Sequence, residues 1–463
     1  MRTAPVPVTA DAELLRTDPR AANPPDWRVD WADGPWPVKV LTGGVRRPAD
    51  GWLGRLLFHT FAVSRIRADA HGGMAATPGR PAPAGHASPV LLRRPVPSGG
   101  SMYPAEVYVA GDGVHHYDPY RHELVDLGRR SGPGLPPVCL VLTHRFWKNF
   151  YKYGDFAYRL GAVDVGVALG RILRLARTAT LWTAFDDARI EAVLGLDGDD
   201  EAVYAVVGLP TATPVPPSAS RSPEVLERSR HVRRSARFDA LHRAARRAAP
   251  AGEPSGPPGP AGPGVALPSP SPTEPRFADM LARTCAGARF DGRTADPGAL
   301  ADVLHHTAAA LDLPIARGLS LYVAVHRVTG VAGGWYRYRP DRHDLVPVGA
   351  GHTGDTGRVL QRALFAASLN IELAAFTVHI GAPAGDRCPD MRRWREQQMA
   401  VGIAVEAITV RATTAGLSGH PVLGFDVGRV ERAYGLTGDG IQAQVSVGSA
   451  RPGLNWEVSV MPR

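Results

Sequence analysis

The chain has 463 residues, 44% hydrophobic and 21% charged, with 53 Lys+Arg against 44 Asp+Glu for a formal net charge of +9. That composition excludes intrinsic disorder, and the length exceeds what one ordinary core needs, so two or three domains are expected. The positive charge does not identify a nucleic-acid binder: the arginines are scattered through apolar segments with no aromatic-basic RNA motif or zinc-finger spacing, and an anionic cofactor or an acidic peptide fits as well.

In chain order, residues 1–50 are rich in Pro, Asp, Arg and Trp and predict an irregular opening segment, packed onto the first domain by Trp27, Trp31 and Trp36. The amphipathic run Trp52–Phe61 predicts the first helix, and the Gly/Pro/Ala-rich residues 71–86 a loop. Pro97-Ser98-Gly99-Gly100 then leads through Tyr103-Pro104 into Glu106-Val107-Tyr108-Val109, which alternates like a half-buried strand. Two adjacent glycines allow the backbone to lie against a ligand with its N–H groups turned outward, so this turn should face something planar or anionic.

A hairpin, the apolar strand 138–142, a helix from about Asp155 to Ala176, a short helix at 186–194 and a strand at 202–208 follow. Residues 209–275 change character: a Pro/Ser loop, the basic run 227–247, read as a solvated helix, and the Pro/Gly/Ser-rich linker 248–275. After it the first half's grammar returns. Tyr117-Asp118-Pro119-Tyr120-Arg121-His122-Glu123-Leu124-Val125 answers to Tyr338-Arg339-Pro340-Asp341-Arg342-His343-Asp344-Leu345-Val346, and Phe185-Asp186 through Glu191 to Phe425-Asp426 through Glu431. Two matches in the same order argue for duplication of one α+β unit, each a mostly antiparallel sheet flanked by helices. The expected organisation is an opening segment 1–50, a first domain 51–215, a basic helix and linker 216–275, and a second, degenerate domain 276–463.

Cys139, Cys285 and Cys388 are too few and too dispersed for a disulfide framework or a metal site, and the pairs His115-His116 and His305-His306 lack acidic or cysteine partners at ligand spacing, so no metal is expected. No apolar run reaches the roughly 20 residues that span a bilayer, and the N-terminus lacks the apolar core of a secretory signal. A cytoplasmic protein with no membrane and no nucleic-acid partner is the expectation.

The run R-x-P-x-P-S-G-G-x-x-Y-P-x-E-x-Y, Arg93 to Tyr108, resembles the SagB-type branch of the FMN-dependent nitroreductase superfamily, which contains the azoline dehydrogenases of ribosomally made peptides. The resemblance implies two tandem nitroreductase-like domains, FMN as cofactor, an azoline-containing precursor peptide as substrate and cyclodehydratase proteins of the same pathway as partners. It also implies pairing of two such domains around the flavin, here as a pseudo-dimer within one chain or as a homodimer. By its pattern Pro97, Ser98, Gly99 and Gly100 would meet the flavin ring. Arg283, Cys285 and Arg289, in a segment similar to the R-x-S-x-R-x-F opening of nitroreductases but one residue longer, would hold the phosphate and ribityl chain. Gly166 or Gly402 would be where a helix backbone approaches the ring.

Lys152-Tyr153, ahead of Tyr158-Arg159 and Asp164-Val165-Gly166, resembles the Lys-Tyr motif of azoline dehydrogenases, which makes the pair the catalytic candidates. Aromatising an azoline removes a Cα proton and a Cβ hydride, so a base and a charge stabiliser are needed, with either residue able to take either part. The second half carries Pro314-Ile315-Ala316-Arg317-Gly318 in place of the Pro-Ser-Gly-Gly turn and has no Lys-Tyr pair, so one working site per chain is expected. Two other functions fit the residues: an NAD(P)H-dependent FMN reductase of nitro or quinone compounds, and a catalytically silent peptide-binding scaffold.

Overall fold

Runs of β-branched and aromatic residues separated by helical repeats build the same arrangement twice. The computed structural model describes residues 10–21, 23, 27–68, 90–132, 134–182, 184–210, 212–218, 222–247, 262–349, 355–366, 368–384, 388, 390–436, 439–453 and 456–460. The predicted loop 71–86 and residues 248–261 of the predicted linker lie outside them.

The elements run α1 (Ala10–Thr17), β1 (Val40–Thr42), β2 (Arg46–Pro48), α2 (Gly51–Phe61), β3 (Arg65–Ala68), β4 (Val90–Arg93), β5 (Ala105–Ala110), β6 (Gly113–Asp118), β7 (Glu123–Arg130), β8 (Cys139–Arg145), α3 (Trp147–Tyr153), α4 (Ala157–Leu175), β9 (Thr180–Trp182), α5 (Asp187–Leu194), β10 (Glu201–Gly208), β11 (Glu224–Leu226) and α6 (Ala236–Arg247). They continue with β12 (Val265–Ala266), α7 (Phe277–Ala282), α8 (Pro297–Ala310), β13 (Ser320–Val325), β14 (Gly334–Arg339), β15 (Asp344–Pro347), α9 (Thr356–Ala363), β16 (Phe376–Pro383), α10 (Met391–Thr414), β17 (Ser418–Val422), α11 (Val427–Tyr434), β18 (Asp439–Gly448) and β19 (Trp456–Ser459). The chain divides into two compact units, an N-half unit of residues 23–246 and 455–463 and a C-half unit of residues 1–22 and 247–454.

The N-half unit holds a seven-stranded sheet in the order β2-β7-β6-β5-β8-β10-β9, and the C-half unit one in the order β12-β15-β14-β13-β16-β18-β17. Every named ladder is antiparallel. The two orders correspond strand for strand, and the local chemistry repeats with them. Tyr117 Oη lies 2.7 Å from His122 Nδ1, and Tyr338 Oη 2.7 Å from His343 Nδ1. Both histidines sit at positive φ, 57° and 51°, in the matching turns. Asp186 and Asp426 cap α5 and α11 by accepting from the Arg189 and Arg429 N–H groups, and each helix ends on a left-handed glycine, Gly195 or Gly435.

Inside the N-half sheet, Glu201 on β10 accepts from Tyr108 Oη at 2.7 Å, Thr143 Oγ1 at 2.6 Å and the buried Lys39 ammonium at 2.6 Å. The C-half counterpart is Tyr322 Oη donating to Asp439 at 2.9 Å, with the Arg337 guanidinium over the Tyr322 ring at 5.7 Å. Strand β5 is therefore not half-exposed, as its alternation predicts. All six residues are buried, because its polar members are paired inside: Tyr108 with Glu201, and Glu106 with His116 Nε2 at 3.1 Å. Tyr108 and Ala110 of β5 belong to a core with Cys139 and Val141 of β8 and with Ile190 and Leu194 of α5, while α4 packs across β5, β8 and β10.

Three predicted segments differ. Residues 1–50 are not irregular throughout, since they hold α1, a 3-10 turn at Trp31–Asp33, β1 and β2. Two of the three tryptophans pack as expected, Trp27 edge-on to Phe150 at 5.1 Å and Trp31 edge-on to Tyr151 at 6.1 Å, while Trp36 is exposed beneath the Arg228 guanidinium. The basic run is not a solvated helix. It contains α6 only from Ala236, and Phe238, Leu241, His242 and Ala245 are buried, with Phe238 against Phe146, Phe150 and Tyr158. The stretch expected to be a basic helix and linker, 216–275, contains β11 and, in Val265–Ala266 of the linker itself, the edge strand β12 of the second sheet. No helix among the described residues is long and apolar enough to cross a membrane.

Removing Glu201 would leave the Lys39 ammonium buried and unpaired. Glu201→Ala is therefore expected to lower the stability of the N-half unit by about 3–5 kcal/mol in urea titration, with Tyr117→Phe and Tyr338→Phe costing about 1 kcal/mol each in their own units.

Candidate active site

The Pro-Ser-Gly-Gly turn becomes a single 3-10 turn, Gly99–Ser101, between β4 and β5 of the N-half unit. Its anchor is Asp164, a buried residue of α4. Ser98 Oγ donates to Asp164 Oδ2 at 2.6 Å, the Gly99 N–H donates to Asp164 Oδ1 at 3.2 Å, and Ser98 Oγ in turn accepts from the Tyr103 N–H at 2.8 Å. Burial pushes the Asp164 carboxyl up to about 7 despite the Ser98 and Gly99 bonds and the nearby Arg94, each of which favours the charged form.

The glycines are required for a second reason besides outward N–H groups. The Gly99 N–H is taken by Asp164, and a Cβ on Gly99 would stand 2.6 Å from the Leu160 side chain. Gly100 has φ 58°, and a Cβ there would collide with the Tyr153 hydroxyl and stand 2.6 Å from Lys152 Nζ. Among the described residues the Gly100 N–H meets no acceptor. Lys152 and Tyr153 thus converge on the turn, and the structure brings Ser98, Gly99, Gly100, Lys152 and Tyr153 together.

The pair forms the last two residues of α3, ahead of the helix expected from about Asp155. Gly154, at φ 53°, terminates α3, and Asn23 fastens the junction by donating from Nδ2 to the Tyr153 carbonyl at 3.2 Å and accepting the Asp155 N–H at 2.8 Å. The chain then turns into α4, which returns Asp164 to the turn. The Lys152 ammonium lies 5.5 Å from the Trp31 ring and 5.2 Å from the Tyr153 ring. Burial lowers the Lys152 pKa, and no charged neighbour offsets it. Burial, with Asp164 and Tyr151 nearby, raises that of Tyr153. Burial thus favours the uncharged form of both members of the pair, an amine and a phenol.

Pro97 is buried beside the turn, and Gly166 is buried in α4 two residues beyond Asp164. Arg283, Cys285, Arg289 and Gly402 belong to the C-half unit. The first three lie in one segment after α7. Arg283 is fully buried with Nη1 3.3 Å from Cys285 Sγ, while Arg289 donates to the Arg451 carbonyl at 2.6 Å and the Cys285 carbonyl at 3.1 Å. Gly402 is buried in α10. Aligning Gly402 with Gly166 sets Ala400 opposite Asp164, and aligning the two proline turns sets Ile315 opposite Ser98. The serine and the carboxylate that binds it are missing together from the second copy.

A flavin fits the N-half residues on one observation: a turn that tolerates no Cβ presents a backbone N–H that, among the described residues, has no acceptor, beside an amine and a phenol. Three donors so grouped suit a ring edge that gains electron density. Sequence reasoning noted Asp164 in its acidic-x-Gly context but gave it no role, because the Ser98 contact joins residues 66 positions apart. Among the described residues, no group of three or more His, Cys, Asp or Glu side chains could hold a metal.

No family model matches the chain. Among curated proteins, McbC, the microcin B17-processing protein of Escherichia coli, is 27% identical over 138 residues, covering 24% of this chain and 51% of McbC. MJ1384 of Methanocaldococcus jannaschii, assigned as a nitroreductase, is 27% identical over 123 residues, covering 21% of this chain and 62% of that protein. The chain thus spans about half to three fifths of the length of these relatives. A solved structure from Anabaena variabilis, also assigned as a nitroreductase, matches 92% of this chain and 96% of its own at 19% identity and a TM-score of 0.68, a likeness of fold. The chain therefore has the fold of that structure over nearly its whole length and is similar in sequence, over part of it, to McbC and MJ1384.

Proposed function

We propose that the protein is an FMN-dependent dehydrogenase that oxidises thiazoline or oxazoline rings to thiazoles or oxazoles in a ribosomally made peptide. The observation that carries the reading is the convergence of Lys152 Nζ and Tyr153 Oη on Gly100 of the Asp164-anchored turn. Support comes also from the sequence relationship to McbC, a peptide-processing protein. Cyclodehydratase proteins that form the azolines are the partners this reaction requires.

The reaction removes one proton and one hydride from the ring. Bound FMN would supply the two-electron acceptor. Lys152, whose burial favours the neutral amine, takes the proton, and Tyr153, kept protonated, donates a hydrogen bond to the atom on which charge develops. The Gly100 N–H and the Lys152 and Tyr153 donors would hold the ring edge, with Asp164 fixing the turn. Gly166 or Gly402 is the candidate helix position for close backbone approach, and Arg283, Cys285 and Arg289 are the candidate ligands of a flavin phosphate and ribityl chain.

Lys152→Ala is expected to keep the yellow colour of a loaded flavoprotein while slowing azoline oxidation by about 10²–10⁴-fold, as read by mass spectrometry of the peptide. In the native protein the rate should rise with pH as Lys152 loses its proton, reaching its plateau below the ordinary lysine pKa. Unchanged turnover in the variant would remove Lys152 from the chemistry, and steady NAD(P)H consumption with nitro or quinone acceptors, without azoline oxidation, would favour a reductase.

Asp164 makes a separate prediction. Because its folded pKa is raised from 3.8 to about 7, the folded N-half unit holds the proton more tightly than the unfolded chain does. The corresponding stability is present below pH 3.8 and is lost as pH rises through about 7. Thermal melts of Asp164→Asn should therefore lack part of the native protein's decline across that window. Asp164→Ala, which leaves Ser98 Oγ and the Gly99 N–H without their acceptor, should weaken FMN retention at constant pH.

A further inference from the structure

The N-half unit carries a surface strip for which the C-half unit has no counterpart among the described residues. It starts at the catalytic pair, where Trp31, 42% exposed, covers the Lys152 ammonium at 5.5 Å. Arg228 fastens the next few residues by donating to the Gly34 carbonyl at 2.6 Å and the Ala32 carbonyl at 3.2 Å, and its guanidinium lies 5.9 Å from the ring of Trp36, which is 38% exposed. Beyond Trp36, strands β1 and β11 form a two-stranded antiparallel ribbon, and β11 turns Val225 and Leu226 to solvent, 51% and 46% exposed. Among the described residues, the far edge of β11 has no strand beside it.

The strip is positively charged where it meets solvent. Arg28, Arg228, Arg230, Arg233 and Arg234 are all exposed. Arg28, Arg228 and Arg233 donate to backbone carbonyls, with Arg233 also over the Trp27 ring at 5.3 Å, and among the described residues the carboxylates nearest Arg234 stand at 3.8 and 4.0 Å. Two of the region's acids are taken up within the protein: Asp33 accepts the Arg230 N–H at 2.6 Å and the His231 N–H at 2.9 Å, and Glu227 pairs with Arg145 at 2.6 Å. Asp30 and Glu224 are exposed along the strip, and Asp199 and Asp200 are exposed at its Arg234 end. Two exposed tryptophans, an open strand edge with apolar side chains and a surplus of solvated guanidinium groups suit an extended chain carrying acidic residues.

We propose that this strip docks an extended acidic segment of the substrate peptide, adding it along β11 and leading the chain past Trp36 and Trp31 to Lys152. The inference rests on the peptide-oxidising reading above, but its test does not require turnover. The probe is a fluorescein-labelled peptide of alternating Glu and Val, compared by anisotropy with the same peptide carrying Lys in place of Glu, both against flavin-loaded full-length protein.

The acidic peptide should bind more tightly, with an affinity that falls as salt rises. The double variant Val225→Glu with Arg230→Glu should weaken it about tenfold or more. Arg230→Gln, which deletes one charge without reversing it, should give a smaller loss and keeps the test open if the double variant melts early. Lys152→Ala should bind like the native protein, so a defect in chemistry and a defect in docking are told apart. Equal binding of the two peptides, unchanged binding in the variants, or a stronger variant-sensitive affinity for a single-stranded oligonucleotide than for the acidic peptide would overturn the proposal. An absence of azoline oxidation with these binding differences intact would count against the proposed reaction alone.

Discussion

A single buried carboxylate organises the candidate site. Asp164 reaches from the long helix α4 to accept the Ser98 hydroxyl and the Gly99 N–H, and so decides where the glycine turn lies relative to Lys152 and Tyr153. Burying a carboxylate is costly, and here the cost appears as a pKa raised to about 7. Two hydrogen bonds and the nearby Arg94 hold the charged form in reach of neutral pH without cancelling the desolvation. Strain and charge are thus concentrated at the turn, where the non-glycines Ser101 and Tyr103 take positive φ, 58° and 49°, and two polar side chains crowd against the Cα of Gly100.

The duplication shows what the fold needs and what only the site needs. Both units keep the Tyr–His contact across a left-handed turn, the aspartate cap with a terminal left-handed glycine, and a tyrosine on the central strand bonded to a carboxylate on the last long strand. These satisfy buried polar groups and helix ends that any copy of the sheet must satisfy. Ser98, Asp164, Lys152 and Tyr153 appear in one copy only. Their absence leaves the second sheet's strand order unchanged, which is what is expected of residues kept for chemistry rather than for packing.

The fold was legible where local chemistry repeats. The paired hairpins and paired Phe-Asp helix caps announced duplication, and the Pro-Ser-Gly-Gly and Lys-Tyr motifs announced the residues that meet at the turn. What stayed hidden depends on contacts distant in sequence. The alternation of Glu106 and Tyr108 reads as a solvent face until His116 and Glu201 are seen to pair with them inside the protein. The arginines of α6 disguise a helix whose Phe238 is buried among aromatic rings. Residues 1–50 look irregular because β1 and β2 are each three residues long and find partners, β11 and β7, far along the chain. Asp164 could be named from its motif, but its hold on Ser98 is a property of the folded chain.

The central claim is that the Asp164-anchored turn, with Lys152 and Tyr153, forms a flavin site that accepts electrons from an azoline. The most direct measurement is anaerobic mixing of FMN-loaded protein with an azoline-containing peptide while the flavin absorbance is followed. The account predicts bleaching in proportion to azole formed, with no reduced nicotinamide present. A flavin that stays oxidised with the peptide yet bleaches at once with NADPH would contradict it.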